Sequence, residues 1–210
     1  ELCANPDVTV TEASGAQIYY AEMNMTDPIL SDINVRKAII KGMSRDNLSA
    51  YMDETLTPAY SLILSKCLNY SDDAVNYYKE NYDYDPDEAN RLLDEAGWKD
   101  SDGDGIHEKD GTKLSFTFDD RDTESAKAIG QSLQIDMKAI GIDMQITTQD
   151  WSYVNQDVND GNFQMAYLGL GWSEPFLLLD MFCQRNAEAT NPDPDGQAEL
   201  VAEARKIVDF

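Results

Sequence analysis

The chain has 210 residues, 42% of them hydrophobic and 27% charged, so it is long enough to bury one substantial core. Its formal net charge of −24, from 40 acidic against 16 basic side chains, excludes generic nucleic-acid binding, which needs basic stripes to displace counterions, and disfavours docking on anionic lipid. The acidity reads as a solvated surface, or as one that concentrates cations and cationic ligands. No run is apolar enough to span a bilayer, and the most apolar one, 176–182, is broken by Asp180. The chain opens on Glu1 rather than Met, as a processed or excised piece does. Cys3, Cys67 and Cys183 are odd in number, far apart and outside any CxxC or Cys/His spacing. One disulfide and buried free thiols both remain open.

Residues 16–25 alternate around Ile18, Tyr20 and Met23 and predict a strand. Val35, Ala38, Ile39 and Met43 follow helical spacing behind Asp32 as N-cap, and a second short helix starts at Ser44 with Leu48 and Met52 inward. Residues 55–70 are irregular, and a helix covers roughly 71–80. Helix 86–96 has the most complete signals. Asp85 is the N-cap, Pro86 takes the first helical position and Glu88 sits where a capping box wants it. Ala89, Leu92, Leu93 and Ala96 form the apolar stripe, and Gly97 fits a left-handed stop. The stretch from Asp100 to Gly111 reads as a loop. Leu114, Phe116 and Phe118 then alternate as a half-buried strand, and helix 123–140 presents Ala126, Ile129, Leu133, Met137 and Ile140 on one face. Ile142, Met144 and Ile146 form the next strand, helix 152–160 carries Val154 and Val158, and an apolar central strand runs over 163–169. A last helix begins near Asp195 and is still running at Phe210, which again suggests truncation.

Strand, long helix and strand joined by short connections form a βαβ unit, so the fold class is α/β, with a mostly parallel sheet and flanking helices. Ligands of such sheets bind beyond the carboxyl ends of the strands. Trp151 follows one strand there and Trp172 another. Either tryptophan fills the edge of the core, or its flat face packs against ligand side chains of varied identity. The backbone of Gly169, Leu170, Gly171 and Ser173 either makes a plain glycine bend or pairs with an extended ligand as an added strand.

Asp100, Asp102 and Asp104 have the spacing of the first half of a calcium loop, with Gly105 at the sharp turn. Gly111 stands where such a loop needs a bidentate glutamate, leaving Glu108 or Asp110 to supply an oxygen. The alternative is a polar turn with no cofactor. If calcium binds, the chain also reads as a calcium-stabilised extracellular interaction module. His107 lies in the same loop as a solvated residue, with no Ser or Cys nucleophile recognisable beside it. No motif places a pair of carboxylates for acid–base work, so no catalytic residue is named and an enzyme is not expected.

Four ordered stretches resemble the bacterial extracytoplasmic solute-binding proteins of family 5, which take up oligopeptides, dipeptides, nickel complexes and some oligosaccharides. They are Asn34-Val-Arg-Lys-Ala-Ile-Ile40 with Ser44-Arg-Asp-Asn-Leu48; Tyr84-Asp-Pro-Asp-Glu-Ala-Asn-Arg-Leu-Leu-Asp-Glu-Ala-Gly-Trp98; the turn ending in Asp110-Gly-Thr-Lys-Leu114; and Ile140-Gly-Ile-Asp143 followed by Gln149-Asp-Trp151, Gly161-Asn-Phe-Gln-Met165 and Gly171-Trp172. Leu56-Thr-Pro-Ala-Tyr-Ser61 is similar to the oligopeptide-binding branch. The resemblance implies a periplasmic-binding-protein type II fold. Residues 1–210 would form the C-terminal lobe of a two-lobed clamp, without its N-terminal lobe or hinge return. It implies peptide ligands, an ABC permease and the N-terminal lobe as partners. It also implies a place in the periplasm or at the cell surface, lipid-anchored through a missing N-terminal segment. In the family, tryptophans matching Trp151 and Trp172 line the ligand cleft, and an aspartate just after the second receives the ligand's α-amino group. Here Trp172-Ser-Glu-Pro175 is shorter than that pattern. Glu174 either takes the amine-receiving role or only matches the acid before the proline.

Overall fold

Each of the six helices spanning 33–160 starts on a side chain that accepts a hydrogen bond from its own first turn, which satisfies an amide the helix leaves without a partner. The structure is a computed structural model that describes residues 9, 11, 15, 17–52, 56–67, 70–171, 196 and 199. Strand β1 (Gln17–Met23) leads to α1 (Ile33–Gly42), capped by Asp32, and α2 (Arg45–Tyr51), capped by Ser44. Next come α3 (Asp72–Tyr82) behind Ser71 and α4 (Pro86–Glu95) behind Asp85, whose carboxylate accepts from the Glu88 amide at 3.0 Å. The capping box is only half made, because Glu88 turns its carboxylate to Arg91, at 2.6 and 2.7 Å.

The stretch predicted as a plain loop contains a small hairpin, β2 (Glu108–Lys109) with β3 (Thr112–Lys113). Asp110 and Gly111 turn it in the left-handed region, at φ 52° and 78°. Strand β4 (Ser115–Arg121), α5 (Glu124–Ala139) and β5 (Asp143–Gln149) form the expected parallel βαβ unit. Helix α6 (Trp151–Asp160) and β6 (Met165–Gly171) complete the order β1-β6-β4-β5, in which only the β1–β6 pairing is antiparallel.

The main core lies between one sheet face and α1, α4 and α5, around Val35, Ile39, Leu93, Phe116, Phe118, Leu133, Met137 and Met144. Val154 and Val158 of α6 pack on the opposite face with Phe163, Ala166 and Leu168. Burying side chains of this size is worth about 1.5–3 kcal/mol each before chain entropy is charged against it. Asp136, in the last turn of α5, is buried and accepts from the Ser44 amide at 2.9 Å and the Asn47 side chain at 3.2 Å, which pins the α1–α2 junction. Cys67 is buried, whereas Cys3 and Cys183 lie outside the described residues, as does nearly all of the last helix. Among the described residues no helix is long and apolar enough to cross a membrane.

Candidate functional site

The parallel strands β4, β5 and β6 all end at the same sheet edge, at Arg121, Gln149 and Gly171, and antiparallel β1 begins there at Gln17 opposite Gly171. Pairing between β4 and β6 covers only Phe118 with Met165 and Asp119 with Ala166. Beyond Ala166, the side of β6 that faces β4 carries no further ladder among the described residues. The result is a wedge at the carboxyl edge, where an α/β sheet takes its ligand and where β6 ends in exposed Gly171.

Arg121 stands at this wedge among three rings. Its guanidinium carbon lies 4.8 Å from the Tyr167 ring centre, 5.4 Å from Trp151 and 5.8 Å from Tyr19. Tyr19 and Tyr167 stack at 5.7 Å with 21° between their planes. Gly169 makes the stacking feasible, because a Cβ there would meet the Tyr19 ring at 2.9 Å. Tyr167 is buried, and its hydroxyl is pushed up to about 12 by that burial, against the pull of Arg121. The Arg121 side chain hydrogen-bonds Tyr167, but its buried Nε finds no acceptor among the described residues, where Arg121 also forms no ion pair. An N–H of this kind is costly to leave without an acceptor, and a ligand carbonyl or carboxylate would satisfy it.

Two carboxylates lie under the edge. Asp119 is pushed up to about 6, first by burial and then by Asp157 of α6, while a hydrogen bond from Gln149 works the other way. The Gln149 side-chain amide is also 3.4 Å from Asp157. Asp120 is fully buried and raised by that burial, with Arg121 and Lys127 offsetting part of it. The expectation of a simply half-buried strand therefore fails over its last turns, where consecutive acidic residues are buried. Asp119 and Asp157 sit between strand and helix rather than facing each other across a cleft.

Of the residues singled out from sequence, Trp151 is the first residue of α6, is 41% exposed and borders Arg121. Gly169 is the seat for Tyr19, and Gly171 is the exposed end of β6. Leu170 turns inward and packs against Ile18, so only its backbone faces the wedge. Trp172, Ser173 and Glu174 lie outside the described residues. Sequence reasoning missed Arg121, Tyr19 and Tyr167. The available signal was Gly169, a strand glycine of the kind that marks a close approach, here that of the Tyr19 ring opposite it.

The aspartate loop folds without a calcium cage. Asp100 accepts from the amides of Gly103 and Gly105, at 2.7 and 3.0 Å, Asp102 from that of Asp104 at 3.0 Å, and Asp104 from that of Ile106 at 2.9 Å. Lys113 pairs with Asp104, which leaves Asp100, Asp102 and Glu108 as the carboxylates that converge. Counted at one oxygen each, these three carboxylates supply part of the six to eight ligands that calcium takes from carboxylates, main-chain carbonyls and water. Nothing supports the calcium-module reading. His107 is not freely solvated either: it is half-buried, and its Nδ1 lies 3.3 Å from the Gly141 carbonyl.

AppA of Bacillus subtilis (strain 168), an oligopeptide-binding protein, is 30% identical over 166 residues, which is 78% of this chain and 30% of AppA. The solved structure of AppA from Bacillus subtilis in complex with a nonapeptide aligns at a TM-score of 0.68 and 23% identity, over 92% of this chain and 43% of that one. A mannohexaose-bound periplasmic oligopeptide-binding protein from Thermotoga maritima aligns at 0.75 and 20% identity, over 93% and 42%. The architecture is thus the type II periplasmic-binding-protein fold, and the chain spans less than half the length of each of these relatives. The family model for bacterial extracellular solute-binding proteins, family 5 Middle, matches residues 1–189. Because that match runs over most of its length, the chain belongs to the family 5 bacterial extracellular solute-binding proteins.

Proposed function

We propose that this chain is the C-terminal lobe of a two-lobed extracytoplasmic receptor that captures peptides for an ABC importer. The carrying observation is the wedge between β4 and β6, where β6 backbone past the end of the ladder runs beside a buried Arg121 N–H that has no acceptor among the described residues. An extended peptide lying along 167–171 would add a strand to β6. Arg121 would receive its carboxylate or a main-chain carbonyl, and Tyr19 and Trp151 would offer flat surfaces to its side chains. The proposal extends to Trp172, Ser173 and Glu174, which follow Gly171 directly. The printed ligand of AppA, a nonapeptide, supports the same ligand class.

In this reading the N-terminal lobe supplies the other wall. Ligand shifts the population toward a closed clamp, an ABC permease recognises that state, and a lipid anchor upstream keeps the receptor at the membrane surface. This chain alone presents half of the contacts, so its affinity for peptides is weaker than micromolar. Calorimetric titration of the chain with a nonapeptide tests this. Weak binding that Arg121→Ala abolishes is the expected result. Micromolar affinity without the second lobe, or binding indifferent to Arg121, would overturn the reading.

A further inference from the structure

We propose that the groove between α1 and α3 is a docking site for an acidic segment of a partner polypeptide, separate from the peptide edge. The groove encloses about 360 Å³ and is lined by Arg36, Lys37 and Ile40 of α1, by Arg45, and by Tyr78 and Tyr82 of α3. Its charge runs against that of the chain. With 40 acidic and 16 basic residues overall, three cations converge here and Lys79 stands beside them, 5.6 Å from the Tyr60 ring. None of Arg36, Lys37, Arg45 and Lys79 makes an ion pair among the described residues. The nearby Asp83 accepts from the Tyr60 hydroxyl at 2.7 Å, and that hydrogen bond, helped by the charges of Lys79 and Arg45, holds its carboxyl below the usual range.

The floor is built and the wall is bare. Arg45 is stapled to the carbonyls of Ala59 and Tyr82, at 3.1 and 3.2 Å, and lies 4.6 Å from the Tyr60 ring, so the base of the groove is fixed. Helix α3 has no buried residue, and Tyr77 and Tyr78 are 57% and 45% exposed. A helix of 11 residues has little stability of its own, so a face of large aromatics gains from a cover. Carboxylates answer the cations, and apolar side chains between them would lie against Ile40 and Tyr78. A membrane surface fits less well, because a plane does not enter a groove and would bring the acidic remainder of the surface against anionic lipid.

The test is fluorescence anisotropy of the full chain with a labelled amphipathic peptide of about 15 residues, bearing glutamate and leucine at i, i+3 and i+4 spacing. Its lysine-for-glutamate counterpart and phosphatidylglycerol vesicles serve as the other arms. Saturable binding of the acidic peptide is expected, weakening at least about tenfold when salt rises from about 0.05 to 0.5 M. Lys37→Glu with Lys79→Glu should weaken it at least about tenfold, and Lys37→Gln with Lys79→Gln should do so to a smaller degree. Arg121→Ala should leave it unchanged, which separates this result from the fate of the peptide edge. No saturable binding, equal binding of the lysine peptide, indifference to both double variants, or binding of vesicles in place of the acidic peptide would overturn the proposal.

Discussion

Arg121 is flanked by Tyr19, Tyr167 and Trp151, yet one buried N–H has no acceptor among the described residues. If that donor awaits a ligand, Arg121→Ala costs peptide binding about 1.5–3 kcal/mol, roughly tenfold or more, while the melting temperature changes little. Arg121→Lys should recover little of the loss, because an ammonium lacks the planar fork that both stacks on rings and donates in parallel. Competition binding in the proposed two-lobed receptor reads both effects. Asp119 makes a second residue-scale claim. Its folded-state value of about 6 lies above the ordinary carboxylate range, so the folded chain takes up a proton before the unfolded one as pH falls. Stability from this group is therefore lowest above about pH 6, grows as pH falls through 6 and levels off near 4. Asp119→Asn should raise stability at pH 7 by about 1–2 kcal/mol and flatten that slope. Urea melts at pH 7 and pH 5 decide it, and equal slopes in both proteins would refute the assignment.

Among the elements, the helices were legible because their signals are local. Asp32, Ser44, Asp85 and Thr123 each cap within three residues, and Gly97 and Gly141 stop their helices at positive φ. The strands were legible where one face is buried, as at Phe116 and Phe118, and misleading where tertiary contacts override the pattern, as at Asp119 and Asp120. The β2–β3 hairpin was missed because its strands are two residues each, too short for any periodicity. Arg121 was missed for a similar reason: a polar residue ending a strand looks solvated until Tyr19 and Tyr167 are brought beside it from distant strands. Gly141 illustrates what sequence shows only in part. Its φ of 75° is what a glycine just past a helix suggests, but the His107 ring that a Cβ would strike comes only from the fold. Gly141→Ala should lose at least about 2 kcal/mol, of which about 1–2 kcal/mol is left-handed strain. In a His107→Ala background the collision disappears and only the strain remains, so a double-mutant cycle by thermal denaturation should show coupling. Independent, additive losses would mean that the two residues do not meet.

For the molecule as a whole, the family follows from the match over residues 1–189, whereas the peptide edge is a reading of geometry. Helices α1, α4 and α5 bury one sheet face and α6 the other, while at the carboxyl edge Tyr19 and Trp151 keep exposed aromatic surface beside Arg121. The most direct test is amide and side-chain NMR of the labelled chain titrated with a nonapeptide to about millimolar concentration, the range expected if the chain is the single lobe proposed. The account expects shifts confined to the Gly169 to Gly171 amides, the Trp151 indole N–H and Arg121 Nε–H, all lost in Arg121→Ala. Shifts centred on the aspartate loop or on the α1–α3 groove, with the carboxyl edge silent, would contradict it.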